Sequence, residues 1–136
     1  MRNAVLAVTG GLCLALLAGC GSSALNDAQR TALVTLGKQL PAPYRDGLII
    51  DSAHRHADDI VFMVRFADAS VAMAKAKPEL FEALRRDEAE AIVQLCAEPA
   101  MKPVYAAGGG ARRRFVDANG AVFFEVTLKA SDCIPH

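Results

Sequence analysis

Few side chains in this sequence combine reactive types with a spacing that chemistry can use. His54 and His56, two residues apart, would face the same way on a strand, and Asp51, Asp58 or Asp59 could complete a metal site with them. The same segment also reads as a polar hairpin turn with exposed histidines, which is the reading we favour, so no metal is expected. Ser52 lies near His54, but no nucleophile elbow surrounds them. The triplet Gly108-Gly109-Gly110 follows a helical pattern and precedes a strand pattern, the reverse of a phosphate-binding loop, and reads as a hinge or turn. Arg112-Arg113-Arg114 is the densest positive cluster. With strand alternation, Arg113 shares a face with Phe115, while Arg112 and Arg114 share the other with Val116. Such a cluster could meet phospholipid headgroups or an acidic partner, or act as edge-strand charge that discourages edge-to-edge pairing. No catalytic constellation emerges, so no enzyme, cofactor or small-molecule substrate is expected.

The amino terminus carries a different chemistry. Arg2 precedes an apolar run from Ala4 to Leu17 that ends in Leu17-Ala18-Gly19-Cys20. A basic residue, a short apolar stretch and small residues before a cut point form an export signal. At about fourteen residues, the run is short for spanning a bilayer core of roughly 30 Å. Leu17-Ala18-Gly19-Cys20 resembles the lipobox of bacterial lipoproteins. That resemblance implies cleavage before Cys20, a diacylglyceryl group on its thiol and acylation of its new amino group. Gly21, where an aspartate would favour retention at the inner membrane, implies the periplasmic face of the outer membrane. Several acyl chains on one residue suffice for stable anchoring. The expected organisation is a signal peptide over 1–19, a lipidated tether over 20–26 and a single domain over 27–136.

Composition agrees with a single exported domain. Hydrophobic residues make up 53% of 136, and removing the signal brings the fraction to about half, ordinary for a globular domain. Fifteen basic and fifteen acidic residues cancel, which argues against nucleic-acid binding and, with the apolar content, against disorder. Of the four cysteines, Cys13 leaves with the signal and Cys20 is the anchor. Cys96 and Cys133 remain in an oxidising compartment and are expected to form one disulfide. A bridge across that interval contributes roughly 4 kcal/mol by restricting the unfolded chain. A reactive or metal-binding thiol pair is disfavoured by the long separation and the lack of a nearby histidine.

The elements follow from periodicity. Asn26 and Asp27 can cap a helix over Ala28–Leu40, with Leu33, Leu36 and Leu40 at helical spacing and Pro41 and Pro43 ending it. Apolar runs over Gly47–Ser52 and Asp59–Phe66 predict a hairpin across the polar stretch Ala53–Asp58, with Ile60, Phe62, Val64 and Phe66 on one face. Ala69–Lys77 could be a helical turn or a loop. Pro78 starts a helix whose stripe is Leu80, Phe81, Leu84, Ile92 and Leu95, with Arg85, Arg86, Asp87, Glu88 and Glu90 mostly outside. A short helix over Pro99–Ala107 leads to a second hairpin, Arg112–Asp117 and Ala121–Lys129, turning at Asn119-Gly120. There Val122, Phe124, Val126 and Leu128 face one way, and Phe123, Glu125, Thr127 and Lys129 the other. The fold class is α+β in two layers: an antiparallel sheet of about four strands from two hairpins, helices on one face, one disulfide.

Together these features resemble the small α/β pilotin lipoproteins of bacterial type II secretion systems, the AspS group. The resemblance rests on the lipobox, a first helix ending in Leu40-Pro41, and Leu95-Cys96-Ala97-Glu98-Pro99 followed by a short helix, a glycine and a hairpin that closes with Asp132-Cys133. The Ala-rich insert Ala69–Lys77 and the triple arginine depart from it, so the partner-binding residues stay unknown. The resemblance implies an outer-membrane carrier that binds the C-terminal segment of a secretin and directs it to the membrane. Candidate groove residues are Met101, Tyr105 and Phe123, in a groove between helices and sheet. A periplasm-facing binding module, such as an enzyme inhibitor or immunity-type protein, would use the same anchor and disulfide.

Overall fold

Leu25, Gln29, Ala32 and Leu36 recur at intervals of four, three and four, and all four side chains are buried. That stripe fixes the first helix against the sheet. The computed structural model describes residues 18–134, with side chains described from residue 23. Residues 1–17, which hold Cys13 and most of the expected export signal, and His136 lie outside the described residues. Helix α1 spans Ala18–Gln39, starting well before Ala28, so the backbone of Gly21–Asn26 is helical. The Gln29 Nε2 donates to the Ala57 carbonyl at 3.2 Å, and Arg55 donates to the Asn26 side chain at 2.9 Å. Gln29 was invisible as a core residue because burying an amide is favourable only when a partner awaits it.

Five strands form one sheet in the order β1-β2-β3-β4-β5: β1 Ala42–Pro43, β2 Leu48–His56, β3 Asp59–Phe66, β4 Gly110–Val116 and β5 Val122–Leu128. Both predicted hairpins are present, β2–β3 and β4–β5. The strand count rises from four to five because the two-residue β1 pairs with β2 through Ala42 and Pro43. The sheet is also mixed rather than antiparallel, since β3 and β4 run parallel, with Asp59 opposite Gly110 and Val64 opposite Phe115. Residues 67–109 contain three helices, and this long crossover returns the chain to the end of the sheet where β3 begins. Strand β2 continues through His56, so the polar stretch after Ser52 is mostly strand and the turn is reduced to Ala57 and Asp58.

One face of the sheet is covered by helices. Ile60, Phe62 and Val64 of β3, Ala111 and Phe115 of β4, and Val126 and Leu128 of β5 share a cluster with Leu36, Ile92, Met101 and Val104 from the helical layer. Helix α2 is Val71–Ala76, with Ser70 Oγ accepting from the Met73 amide as its N-cap. The ambiguous Ala-rich insert is therefore helical. Helix α3 is Pro78–Ala91 and tightens into a 3₁₀ segment over Ile92–Ala97. A 3₁₀ turn over Pro99–Met101 leads to α4, Lys102–Ala106. The Cys96–Cys133 disulfide links the end of the α3 segment to the turn after β5.

Where α4 turns into β4, the backbone passes so close to α1 that only glycine fits. A Cβ on Gly109 would stand 2.6 Å from Leu25 Cδ1, 2.7 Å from the Asp58 carbonyl oxygen and 2.8 Å from Val104 Cγ1. Replacing Gly109 with alanine is therefore expected to lower stability by about 1–3 kcal/mol, as overpacking does. Urea unfolding would report it as a lower midpoint with unchanged slope, and an unchanged midpoint would refute the close packing of α1 on this turn.

Candidate functional site

The end of the sheet where β3 finishes carries an aromatic cluster. Phe66, the last residue of β3, meets the Phe123 ring edge-on at 5.1 Å between centroids and Phe81 of α3 at 6.3 Å. Phe81 stacks on Phe123 at 5.0 Å. Simple alternation puts Phe123 on the face of Glu125, but the register of β4 and β5 shifts between Phe115 and Val116, placing a bulge opposite this point. The bulge turns Phe123 inward, as an extra residue in a strand does. Phe124 still stacks on Phe115 at 4.6 Å.

Above these rings, α2 and α3 leave an open apolar groove of about 290 Å³. Met73 of α2 and Leu80 and Leu84 of α3 line it, with Phe66 and Phe81 at the base and Lys77 at the junction of the helices. Met73 and Leu80 are 50% and 61% exposed, which is costly for side chains of this size without a partner. Of the residues predicted to line a groove, Phe123 supports its floor. Met101 is instead fully buried in the core, and the Tyr105 hydroxyl donates to the Leu95 carbonyl at 3.0 Å. Burial pushes the Tyr105 hydroxyl pKa upward, so it stays a protonated donor. The groove residues Met73, Leu80 and Leu84 lay in segments read as an uncertain insert and a core stripe. Alternation and periodicity show which residues are apolar, not which apolar positions the fold leaves uncovered.

Helix α3 is held in place by a buried charge cluster. Glu88 is wholly buried, and Arg113, on the core face of β4, is 4% exposed. The Tyr44 hydroxyl donates to Glu88 Oε2 at 2.8 Å and accepts from Arg113 Nη1 at 2.9 Å. Arg45 grips Glu88 Oε1 through Nε at 3.0 Å and also through Nη2. The Arg113 guanidinium lies over the Tyr44 ring, 4.9 Å from its centroid. Burial pulls the Arg113 pKa down, opposed by Tyr44 and Glu88, and burial pushes the Tyr44 pKa up. Glu88 had been placed outside the α3 stripe on chemical type, although it stands four residues from both Leu84 and Ile92.

The flanking arginines do something else. Strand β4 lies between β3 and β5, so the edge-strand role proposed for the triplet does not apply. Arg112 Nε binds Asp59 at 2.6 Å, and Arg114 Nε binds Glu125 at 2.6 Å. On the same face, His54 and His56 of β2 stand opposite Val61 and Asp59. Among the described residues, no three His, Cys, Asp or Glu side chains converge as metal ligands. A second, larger cleft of about 540 Å³ lies at the other end of the sheet, lined by the Ala57-Asp58 turn, Arg112, Thr127, Lys129 and Ser131. Its mixed lining, which includes Asp58, Asp59 and Lys129, suits a segment with apolar anchors less well than the almost wholly apolar smaller groove.

Asp117, just after β4, anchors the α2 side of the groove. Its Oδ1 accepts from the Ala121 and Asn119 amides at 2.9 Å, and its Oδ2 from the Val71 amide at the start of α2 at 3.3 Å. Backbone donation, first from Ala121, holds the Asp117 pKa below the ordinary aspartate range. A lowered folded pKa stabilises above the unfolded value and loses that stability as pH falls. Asp117→Asn is therefore expected to flatten the decline in stability below about pH 5, measured by thermal melts across pH; an acid limb identical to that of the parent would contradict this. Glu88→Gln leaves Arg113 buried without its charged partner and is expected to cost about 3–5 kcal/mol in urea unfolding.

No family model matches the chain, and neither does any curated protein. Solved structures do. The pilotin EpsS of the Vibrio vulnificus type 2 secretion system superposes with a TM-score of 0.54 at 15% identity, over 85% of this chain and 99% of that one. The type II secretion pilotin AspS of Vibrio cholerae gives 0.56 at 18% identity, over 85% and 100%. A Pseudomonas aeruginosa chain described as a secreted protein gives 0.53 at 11% identity, over 91% and 100%. At such identities the likeness is one of fold, and by that measure the chain has the α+β fold of the type II secretion pilotins.

Proposed function

We propose that the chain is a pilotin: a lipoprotein anchored through Cys20 at the periplasmic face of the outer membrane, binding the C-terminal segment of a type II secretion secretin and directing it there for assembly. The observation that carries this reading is the coincidence of the pilotin fold with an uncovered apolar groove between α2 and α3. Leu80 and Leu84 stand one helical turn apart beside Met73, which suits an amphipathic helix presenting anchors at matching intervals. The role is delivery rather than a reaction. Among the described residues, no helix is long and apolar enough to cross a membrane; in this reading the attachment is the lipid on Cys20.

Two measurements test the reading. Deleting the gene and fractionating the envelope is expected to leave secretin monomers away from the outer membrane; multimers arriving there in normal amounts would refute the pilotin role. In titration calorimetry with a peptide of the cognate secretin's C-terminal segment, Leu80→Asp is expected to weaken binding at least tenfold, about 1.4 kcal/mol or more. Leu80 is 61% exposed, so the variant folds, and unchanged binding would move the site away from the groove.

A further inference from the structure

The described part of α1 ties the amino-terminal chain to one end of the sheet. Leu25 is buried and packs beside Gly109, where it would collide with any Cβ placed there. Asn26 is bonded to Arg55, and the buried Gln29 to the carbonyl of Ala57 in the β2–β3 turn. Cys20 precedes Leu25 by five residues. Those residues span about 8 Å as helix and at most about 18 Å when extended. An anchor on Cys20 therefore keeps the lipid surface near the β2–β3 turn. The groove begins beyond Phe66, the far end of the eight-residue β3, about 26 Å away along the strand.

The end near Cys20 has the chemistry of a surface that lies on headgroups. Arg55 and Lys129 are the exposed cations there; Asp58 of the turn and Asp132 beside Lys129 are exposed carboxylates, and Asp59 is paired with Arg112. The cleft of about 540 Å³ opens between that turn and Lys129, and Asp59, Arg112, Thr127, Leu128 and Ser131 contribute to its lining. A lysine and an arginine beside hydroxyl groups can meet phosphodiester headgroups.

We propose that the domain meets the phospholipid surface through this one pole, the β2–β3 turn with the Lys129 cleft, and holds the α2–α3 groove facing away from the membrane. The orientation rests on the lipidation of Cys20 in the reading above. It makes attachment directional: a partner segment is taken up on the periplasmic side, while the lipid-facing end stays clear.

The chain contains no tryptophan, so an introduced one reports its own surroundings. His56 and Asn119 are both exposed, at opposite ends of the sheet, and tolerate the change. The full-length lipidated variants His56→Trp and Asn119→Trp would be placed in phosphatidylethanolamine and phosphatidylglycerol vesicles carrying brominated acyl chains. Quenching of the His56→Trp fluorescence is expected to exceed that of Asn119→Trp at least twofold. Equal quenching, or stronger quenching at Asn119, would overturn the orientation when mass spectrometry finds the acyl chains on Cys20. A Cys20 without lipid would overturn the anchor itself and the orientation with it.

Discussion

The layers of this molecule depend on a charge that the sheet places in its own core. Arg113 sits in the middle of β4, on the face that carries Ala111 and Phe115, where a lone guanidinium would cost several kcal/mol. The Tyr44 hydroxyl accepts from it at 2.9 Å and the Glu88 carboxylate of α3 stands 3.9 Å away, while Arg45, a like charge, bonds Glu88 from the other side. The cluster therefore binds three segments far apart in sequence at a single point. By bonding Tyr44 and Arg45 at once, Glu88 constrains the rotation and height of α3 over the sheet. One to two turns nearer the amino terminus on the same helix stand Leu84, Phe81 and Leu80, so the groove inherits its shape from the buried cluster.

Charge on the other face is consumed by the sheet as well. Arg65 pairs with Asp51 at 2.7 Å, Arg112 with Asp59, and Arg114 with Glu125. The acidic partners come from β2, β3 and β5, so the ladder runs across strands and leaves the arginine triplet little net charge. Edge protection lies elsewhere. Strand β1 is two residues long and contains Pro43, which has no amide hydrogen to offer an incoming strand.

The parts legible in the sequence were those decided locally. Asn119-Gly120 between alternating runs fixed the second hairpin, Pro78 marked the start of α3, and Cys96 and Cys133 were paired by compartment and number. The less legible parts depended on partners distant in the chain. Glu88 and Gln29 fall on apolar stripes by spacing, yet their polar type argues for solvent unless Tyr44, Arg45 and Ala57 are known to be waiting. The Ala-rich insert has weak periodicity, and its helix is settled by the Ser70 cap and by Asp117, forty-six residues from Val71. The parallel pairing of β3 with β4 could not be read from either strand, since direction is a property of the whole crossover. The groove was legible only as apolar residues without an address.

The polar groups spent inside the fold also bear on how a partner can be recognised. The groove walls offer methyl, thioether and ring surfaces, and Lys77 is their one charged residue. Recognition there must come from the shape and interval of apolar anchors, with register supplied by a single charge. A helical segment with apolar residues at intervals of three and four, and an acidic residue near Lys77, meets both conditions. Shape alone discriminates weakly among apolar side chains, a methylene being worth about 0.8 kcal/mol. A groove built this way would gain selectivity chiefly by having several anchors engage at once, which a rigidly held α3 permits and a loosely held one would not. The buried Glu88–Arg113 pair, expensive as an element of stability, would then be repaid in the specificity of the groove that α3 walls.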